Sequence, residues 1–587
     1  MSQPASGLLP ALVGYYQRLE NDPSEGVADY GFSMEKLHFA IVLEPDGTPF
    51  SFDDIRARNE KGKPIPRPLL VPDGGGRSGT GLKPFFCWDN TGYALGRDNK
   101  GKPERAEAMF NEFRELHKSF LTELDTDAGF VALCRFLDRW KPEQAESFPN
   151  WDEAAGLNVV FKLRAREGYV HQSEAVRAAW LRASSKQEPS ESRVLGVSLV
   201  SGEEEELARL HPQIRGVAGA NTTGAAIVSF NLDAFESYGK SQSFNAPVGT
   251  RDAFRYTTAL NRLLADDVRR VRIGDATVVF WSDRAEGQDA ESLLREIFGD
   301  GPKNEDAEHT ATVERVRVFL DAARKGQLHD MLKDPDAPFY VLGLSPNASR
   351  LNVRYWLVGT VRQFAERLAE HVIRLEMTGA RPEDPPLVIR RLLLETAREP
   401  KDIPPQLAGE VARAVLGGFP YPQALFNAVV HRVRADSQMN HRRASILKAH
   451  LIRNRNEEVP VALNKDHPDE AYQLGRLFAA LEKTQEDASE SKLNRTVKDH
   501  FFGSAAATPA IIFPRLMQLH QHHLNKLENQ GFRIAREKVV GEIVGRIGRF
   551  PSHLSLENQG LFYIGYYHQR QDFFTKRTDS GKETNDE

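Results

Sequence analysis

The sequence contains little cysteine and no long apolar segment. Its 587 residues include two cysteines, Cys87 and Cys134, which are too few for a disulfide framework or a thiolate zinc site. No apolar run approaches the roughly 20 residues that a membrane-spanning helix requires. The first 20 residues have no basic stretch before their apolar part, so we predict no signal peptide. Together these absences predict a cytoplasmic protein that does not contact a membrane.

An excess of positive charge is also absent. The net charge is −5, whereas a domain that binds nucleic acid is usually basic. This argues against nucleic acid covering the whole surface, but it leaves room for basic patches on a large protein that also binds protein partners. The length alone predicts roughly four domains.

Residue clusters typical of enzymes are not evident. His520, His522 and His523 are close in sequence, but on one helix they point to different faces and have no acidic partner at ligand spacing. The pair His329 and Asp330 lacks the further ligands that a metal-dependent nuclease needs. The sequence has no GxSxG nucleophile motif. We therefore predict no catalytic residue, no metal and no cofactor, while a nuclease with dispersed metal ligands stays open as the alternative.

Residues 221–264 contain a polar stretch between two regular elements. Residues 225–230 are an apolar run that predicts a buried strand, and an amphipathic helix capped by Asp252 is predicted at the other end. Residues 231–250 between them predict a loop. The loop is either a plain connection or a surface for the phosphates and sugars of a polynucleotide. The side chains predicted to contact RNA or another subunit are Ser229, Asn231, Tyr238, Lys240, Gln242 and Asn245.

A glycine-rich segment at residues 73–83 is the second candidate. Its glycines partly match nucleotide-binding loops, but Pro84 and a strand follow instead of a helix, and Thr80 replaces the phosphate-binding lysine. The segment is either a flexible hairpin tip or a backbone finger whose amides approach DNA closely. Asn90 lies in the turn of a hairpin predicted for residues 85–95. The candidate DNA contacts are Gly74, Gly75, Gly76, Arg77, Ser78, Thr80, Lys83 and Asn90.

Two groups of basic residues follow later in the chain. Arg350 and Arg354 flank a turn between strands predicted at residues 339–344 and 353–358, and they either bind RNA or a neighbouring subunit or form buried pairs. Residues 437–456 contain no acid. On a helix they predict a basic stripe along a phosphate backbone, or alternatively a helix ion-paired with acidic neighbours. The residues of this stripe are Arg442, Arg443, Lys448, Arg453 and Arg455.

Strand and helix patterns alternate up to about residue 380, and helical patterns alone follow. This predicts the α+β class, with a mixed multidomain N-terminal body followed by a C-terminal all-α helical bundle. The predicted domains are an α+β body at residues 1–300, its continuation at 301–385, a helical connector at 386–466 and a helical bundle at 467–587. The acidic run at residues 203–206 predicts the start of a solvated helix.

Three blocks of sequence are longer than these motifs. They read KPFFCWDNTGYALG, SFNLDAFESYGKSQSFNAPV followed by AFRYTTALNRLL, and FYVLGLSPNASRLNVRYW. In this order they resemble the large subunit of type I-C Cascade, the CRISPR RNA-guided surveillance complex. The resemblance covers most of the first 360 residues, and beyond them it lies in helical character more than in motifs.

The resemblance implies a non-catalytic subunit that binds nucleic acid. Such a subunit contacts the protospacer-adjacent motif, here with the glycine-rich segment, helps to open the target duplex and stabilises the R-loop. The implied partners are CRISPR RNA, target double-stranded DNA, the backbone, crRNA-processing and small subunits of Cascade, and a helicase-nuclease recruited after DNA binding. The C-terminal bundle resembles the small subunit. A scaffold that touches no nucleic acid stays open as a third class of function.

Overall fold

The computed structural model of the protein describes most of the chain. The described residues are 7–22, 27–59, 62–75, 77, 81–164, 166–184, 194–284, 291, 295, 307–380, 389–489 and 496–574.

The first part of the chain is built around a four-stranded sheet. Its strands and their small companions are β1 (Phe32–Leu37), β2 (Phe39–Leu43), β3 (Pro49–Asp54), β4 (Ala57–Arg58), β5 (Pro64–Ile65), β6 (Arg67–Pro72), β7 (Trp88–Asn90) and β8 (Asn158–Leu163). The strand order is β3–β2–β8–β7, in which β2 and β8 are parallel and the other pairs antiparallel. The helices of this part are α1 (Leu8–Glu20), α2 (Thr91–Leu95), α3 (Pro103–Phe120), α4 (Ala128–Arg139), α5 (Trp151–Ala154) and α6 (Glu174–Ser184).

A second, antiparallel sheet occupies the centre of the chain. After the hairpin β9 (Leu195–Val197) and β10 (Glu204–Glu206) and the helix α7 (Thr250–Ala265), it comprises β11 (Arg270–Ile273), β12 (Ala276–Ser282), β13 (Pro338–Asn347) and β14 (Arg350–Thr360). Successive side chains of a strand point to opposite faces, and both faces of β12 are apolar. Val278 and Phe280 pack in one core with the later helices, whereas Val279 and Trp281 pack in another core with α1 and α7.

Helices form the rest of the described chain. They are α8 (Ala307–Lys325), α9 (Val361–Leu375), α10 (Ile389–Leu394), α11 (Pro405–Gly417), α12 (Gln423–Asp436), α13 (His441–Arg455), α14 (Glu470–Asp487), α15 (Val497–Ala507), α16 (Pro509–Asn525), α17 (Gln530–Val544) and α18 (Leu556–Phe574). Thr360 starts α9 with a capping box, in which its hydroxyl accepts from the Gln363 amide. One continuous core runs from Ile273 in β11 to Tyr567 in α18.

The predicted fold class is confirmed, since a mixed helix and sheet body precedes a helical C-terminal region. Apolar runs at residues 271–273 and 277–281, on either side of Gly274 and Asp275, predict a hairpin, and β11 and β12 form it. The sequence also predicts a helix at residues 361–375, directly after the strand predicted at 353–358, and α9 has these bounds. These elements follow from strong local patterns, a turn between alternating apolar residues in one case and a capped amphipathic run in the other.

Four local predictions are wrong. Residues 225–230 form no strand but two isolated bridges, which join Ala225 to Ile214 and Ala226 to Arg350. Residues 204–206 belong to a strand instead of a helix. Residues 85–95 contain β7 and α2 instead of a hairpin, because the Asn90 side chain caps a helix. Asp252 does not cap α7, which begins after Gly249, but lies buried in its first turn.

The predicted domain boundaries stay predictions. Those at residues 300 and 385 fall outside the described residues, and the one at residue 466 lies between α13 and α14. Among the described helices, none has both the length and the apolar character that crossing a membrane would require.

Helices α14 and α18 approach each other through two glycines. A Cβ on Gly475 would overlap the carbonyl oxygen of Phe562, and a Cβ on Gly565 would overlap that of Tyr472. We expect Gly475→Ala to lower the free energy of unfolding by about 1–3 kcal/mol, because the two backbones must move apart. Urea unfolding followed by circular dichroism measures this change.

Gly541→Ala in α17 is the matched control, since a Cβ there meets no atom within 4 Å. Its effect should be a gain of up to about 1 kcal/mol from helix propensity. Equal stabilities of the two variants would contradict the close packing of α14 against α18.

Candidate nucleic-acid interface

The glycine-rich segment joins β6 to β7. Three of its predicted DNA contacts lie outside the described residues: Gly76, Ser78 and Thr80. Gly74 is buried, and a Cβ at this position would overlap the ring of Phe85. Gly75 is exposed and has a φ of 65°. Gly74 is therefore required for packing within the protein, whereas Gly75 is at the surface.

Arg77 balances the charge of a buried carboxylate. Its guanidinium donates to Oδ2 of Asp89, whose side chain is 1% exposed, and its Nε donates to the Lys83 carbonyl oxygen at 2.8 Å. The guanidinium also lies over the rings of Phe85 and Tyr93, 3.8 and 4.1 Å from their centres. Burial raises the pKa of Asp89 to about 6, and Arg77 opposes that rise. Two of the three guanidinium nitrogens thus serve the fold and are not available to DNA.

Asn90 and Lys83 differ in what their side chains contact. Asn90 Oδ1 accepts from the Gly92 amide at 3.0 Å, and its Nδ2 donates to Asp89 at 3.1 Å. Lys83 is exposed, and no carboxylate among the described residues lies within 4 Å of its ammonium group. Lys83 is therefore an exposed cation whose ammonium group is not paired with a carboxylate among the described residues, unlike the guanidinium of Arg77.

The polar loop at residues 231–250 ends in a tight turn with an aromatic tip. The Lys240 amide donates to the Ser237 carbonyl oxygen at 3.0 Å. Between them, Tyr238 and Gly239 have φ angles of 53° and 67°, the signs of a type I′ turn. A positive φ is uncommon for a bulky residue such as tyrosine and costs of order 1–3 kcal/mol. The Tyr238 side chain is 100% exposed, so the turn holds this ring in solvent.

Amide side chains fix the shape of this turn. Asn245 Oδ1 accepts from the Ser237 amide at 2.8 Å, and Asn245 Nδ2 donates to the carbonyl oxygens of Lys240 and Gln242 at 2.7 and 2.9 Å. Gln242 Oε1 accepts from Arg209 at 2.7 Å. Asn245 and Gln242 therefore fix the conformation of the loop through hydrogen bonds. The Lys240 side chain is exposed and has no carboxylate within 4 Å among the described residues.

Arg350 attaches the loop to the central sheet. Its guanidinium donates to Asn231 Oδ1 and lies 4.6 Å from the ring centre of Phe235. Its neighbour Leu351 donates from its amide to the Ala226 carbonyl oxygen at 2.9 Å. Two of the sequence blocks described above are thus brought together in space. Ser229, in the same stretch, is half-buried.

Arg354 is not near this contact, although it lies on the same strand. It pairs with Asp275 at 2.6 Å across the sheet, and its side chain is 35% exposed. This ion pair matches the structural alternative for Arg354.

Helix α13 is buried among its neighbours, which contradicts an exposed basic stripe. The Arg443 side chain is 7% exposed and bonds to Asp436 at 2.7 Å and to Glu395 at 3.1 Å. Lys448 is buried and donates to the Arg374 carbonyl oxygen at 3.0 Å. Burial lowers the pKa of Lys448. Neither side chain can reach a phosphate backbone in this structure.

The other three basic residues of α13 also have partners. Arg453 donates to the Ala414 carbonyl oxygen at 2.9 Å, and Arg455 pairs with Glu557. Arg442 lies 3.7 Å from Glu395 and is partly exposed. The arrangement matches the alternative that the sequence left open, a helix ion-paired with acidic neighbours.

Sequence reasoning missed some basic residues of the C-terminal region. Lys526 lies between α16 and α17, and Lys538 lies on α17; both are exposed, and neither has a carboxylate within 4 Å among the described residues. Residues 528–535 between them are also exposed. The signal in the sequence was weak, because acids and bases alternate there without a run of one sign.

The described residues contain no group of three or more histidine, cysteine, aspartate or glutamate side chains that could hold a metal ion. An α+β body joined to a helical bundle, with a rigid polar loop and scattered exposed cations, defines a multidomain protein with candidate binding surfaces in both parts. The family described as CRISPR-associated protein (Cas_Csd1) matches residues 12–574, and this chain belongs to it. The protein is thus a CRISPR-associated component of the Cascade type. No curated protein matches the chain.

The contact between Arg77 and Asp89 predicts a large loss of stability in Arg77→Ala. We expect about 3–5 kcal/mol, because the variant leaves a buried carboxylate without its cation. Lys83→Ala, six residues away, should change stability by less than about 0.5 kcal/mol. Thermal unfolding of both variants measures the difference.

The loss should be smaller at pH 5 than at pH 8. Burial already raises the Asp89 pKa to about 6, and removal of Arg77 raises it further. Over this range the folded variant binds a proton that the unfolded chain releases, so its stability increases as pH falls. Asp89→Asn added to Arg77→Ala should remove this pH dependence. A variant as stable as Lys83→Ala at pH 8 would contradict the structural role of Arg77.

Proposed function

We propose that this protein is the non-catalytic large subunit of a type I-C RNA-guided surveillance complex. In this role it contacts the protospacer-adjacent motif, helps to open the target duplex, stabilises the R-loop and serves as a platform for a separate helicase-nuclease. Family membership and the three sequence blocks support the proposal. Guide RNA, target DNA and the other protein subunits are its partners.

The observation that carries the proposal is the exposed ring of Tyr238 on a turn of fixed shape. Proteins that bind single-stranded nucleic acid use aromatic rings on which bases stack, with cations nearby for the backbone. The turn has both features, because it carries the exposed ring of Tyr238 and, two residues later, the exposed side chain of Lys240. Asn245 fixes the backbone of the turn through Ser237 and Lys240, so the turn loses little backbone freedom when a base stacks on the Tyr238 ring. We assign this turn to the guide RNA.

The glycine-rich segment is assigned to the target duplex. Gly75 and Lys83 are exposed beside each other, with the Lys83 ammonium 3.2 Å from the position of a Cβ on Gly75. A backbone without a side chain and a nearby cation suit close approach to a phosphate or a groove edge. Arg77 donates hydrogen bonds to Asp89 and to the Lys83 carbonyl oxygen. Its role in DNA binding is therefore indirect, since it positions Lys83.

The helical C-terminal region is assigned to the displaced strand. The buried cations of α13 do not suit this task, whereas the exposed Lys526 and Lys538 do. Exposed lysines bind phosphate through charge and release counterions, which needs no base contact. The assignment therefore moves the strand-holding surface from α13 to α17 and the residues that precede it.

Replacement of Tyr238 tests the guide-RNA contact. We expect Tyr238→Ala to raise the Kd for guide RNA about 5- to 150-fold, which corresponds to about 1–3 kcal/mol for one stacked base. Fluorescence anisotropy with labelled guide RNA, in the presence of the other subunits, measures the Kd.

Tyr238→Phe is the matched control, because it keeps the ring and should bind within about twofold of the unchanged protein. Asn245→Ala is less informative, since it releases the clamp of the turn as well. Equal RNA binding by Tyr238→Ala and Tyr238→Phe would contradict the RNA contact and favour the alternative, in which residues 231–250 only connect two elements.

Replacement of Lys83 tests the duplex contact. We expect Lys83→Ala to weaken capture of a motif-bearing duplex, and to lower the slope of log K against log salt by about 1, the value for one phosphate contact. Assembly with guide RNA should be unchanged. Filter binding at several salt concentrations measures the slope.

Lys83→Arg keeps the charge and should retain the slope. The same duplex, incubated with the purified chain and Mg²⁺ or Mn²⁺, should stay intact, since the proposal assigns cleavage to another protein. Cleavage that a chelator abolishes would establish the nuclease alternative. An unchanged salt slope in Lys83→Ala would show that Lys83 does not contact the DNA.

A further inference from the structure

The hairpin β9–β10 has two faces of opposite character. The side chains of Leu195, Val197 and Leu199 are 70%, 59% and 68% exposed. Gly196, between Leu195 and Val197, faces the other side of β9, and Ser198, just after the strand, is buried. Leu195 and Val197 lie on the solvent face of β9, and Leu199 lies in the turn that follows it. Three exposed large apolar side chains so close together are unusual for a surface without a partner.

The inner face attaches the hairpin to the body of the protein. Ser198 Oγ donates to Asp252 Oδ2 at 2.6 Å and accepts from the Gly249 amide at 3.1 Å. The Leu199 amide donates to the Pro247 carbonyl oxygen at 2.9 Å. The apolar row is therefore held on a fixed support at the start of α7.

Glutamates form a second row on the outer face. In the antiparallel register, Leu195 lies opposite Glu206 and Val197 lies opposite Glu204. Residues directly opposite each other in such a pair share a face, about 5 Å apart. Glu203 precedes this row and is exposed. The face thus combines an apolar row with a parallel acidic row.

The acidic row selects the chemistry of the partner. Carboxylates repel phosphates, so this face is unsuited to RNA or DNA. A second copy of this chain carries a net charge of −5, which gives no general attraction to an acidic face. A protein segment with apolar side chains on one side and lysine or arginine beside them complements both rows.

The hairpin is also continuous with the loop assigned to guide RNA. Ala208, just after β10, donates from its amide to the Val248 carbonyl oxygen at 2.8 Å. Arg209 then holds Gln242 in the polar loop at 2.7 Å. A protein bound to the hairpin would therefore lie beside the Tyr238 turn.

We propose that the outer face of β9–β10 binds a basic amphipathic segment of another protein subunit of the same RNA-guided assembly. This inference rests on the proposed function for the identity of the assembly. The apolar row supplies the buried area, and the exposed Glu203 and Glu204 pair with lysine or arginine of the partner.

A photo-crosslinking residue at Leu199 tests the inference. p-Benzoylphenylalanine replaces Leu199 in the full chain, which is assembled with guide RNA and the other protein subunits and then irradiated. We expect a cross-link to one of those subunits, in a peptide that contains lysine or arginine beside apolar residues. Ile511 in α16 is the matched control site, since it is also about 70% exposed and apolar but lies on another element. A cross-link to nucleic acid, to a second copy or within the chain, a partner peptide without basic residues, the same cross-link from Ile511, or none at Leu199 would overturn the inference.

A substitution separates this inference from the proposed function. Val197→Asp should lower the fraction of chain that joins the RNA-loaded assembly about tenfold and leave the midpoint of thermal unfolding unchanged, because Val197 is exposed. Glu203→Lys together with Glu204→Lys should act in the same direction, since both side chains are exposed. If the unchanged chain does not join the assembly, the proposed function fails and this inference with it. If both the unchanged chain and Val197→Asp join equally, the docking inference alone fails.

Discussion

The sheet β11–β14 is buried on both faces, and this double burial connects the main parts of the protein. Alternate side chains of β12 and β13 enter two different cores, one shared with α1 and α7 and the other with the later helices. The same elements then position the candidate surfaces. The start of α7 holds the β9–β10 hairpin through Ser198, and the turn between β13 and β14 holds the polar loop through Arg350. Rigid support of this kind allows loops to carry binding side chains in fixed geometry.

Several charges that look suited to nucleic acid hold the fold together instead. Arg77 neutralises the buried Asp89, and Arg443 bonds to Asp436 and Glu395. A buried charge without a partner is costly, so each of these cations stays where its carboxylate is. The cations that remain for a ligand are those at the surface without a described partner, among them Lys83, Lys240 and Lys538. A net charge of −5 is therefore compatible with exposed cations at particular places on the surface.

The proposed surfaces differ in charge and are adjacent. The Tyr238 turn presents an aromatic ring and a lysine, whereas the β9–β10 hairpin presents apolar side chains and glutamates. Arg209 and Gln242 join the two. An arrangement of this kind would let one region of the protein contact RNA and a protein subunit together, with like charges excluding the wrong partner from each surface.

The sequence by itself determined the fold class, the β11–β12 hairpin and the bounds of α9, because alternation, turn residues and a capping box are local signals. It also determined the family through three long blocks. Only the tertiary structure decided which polar residues are free. Asn90 caps a helix, Asn245 clamps a turn, and Arg455 of α13 pairs with Glu557, 102 residues further on. The direction and burial of a side chain depend on neighbours that are distant in the chain, and a local pattern contains no information about them.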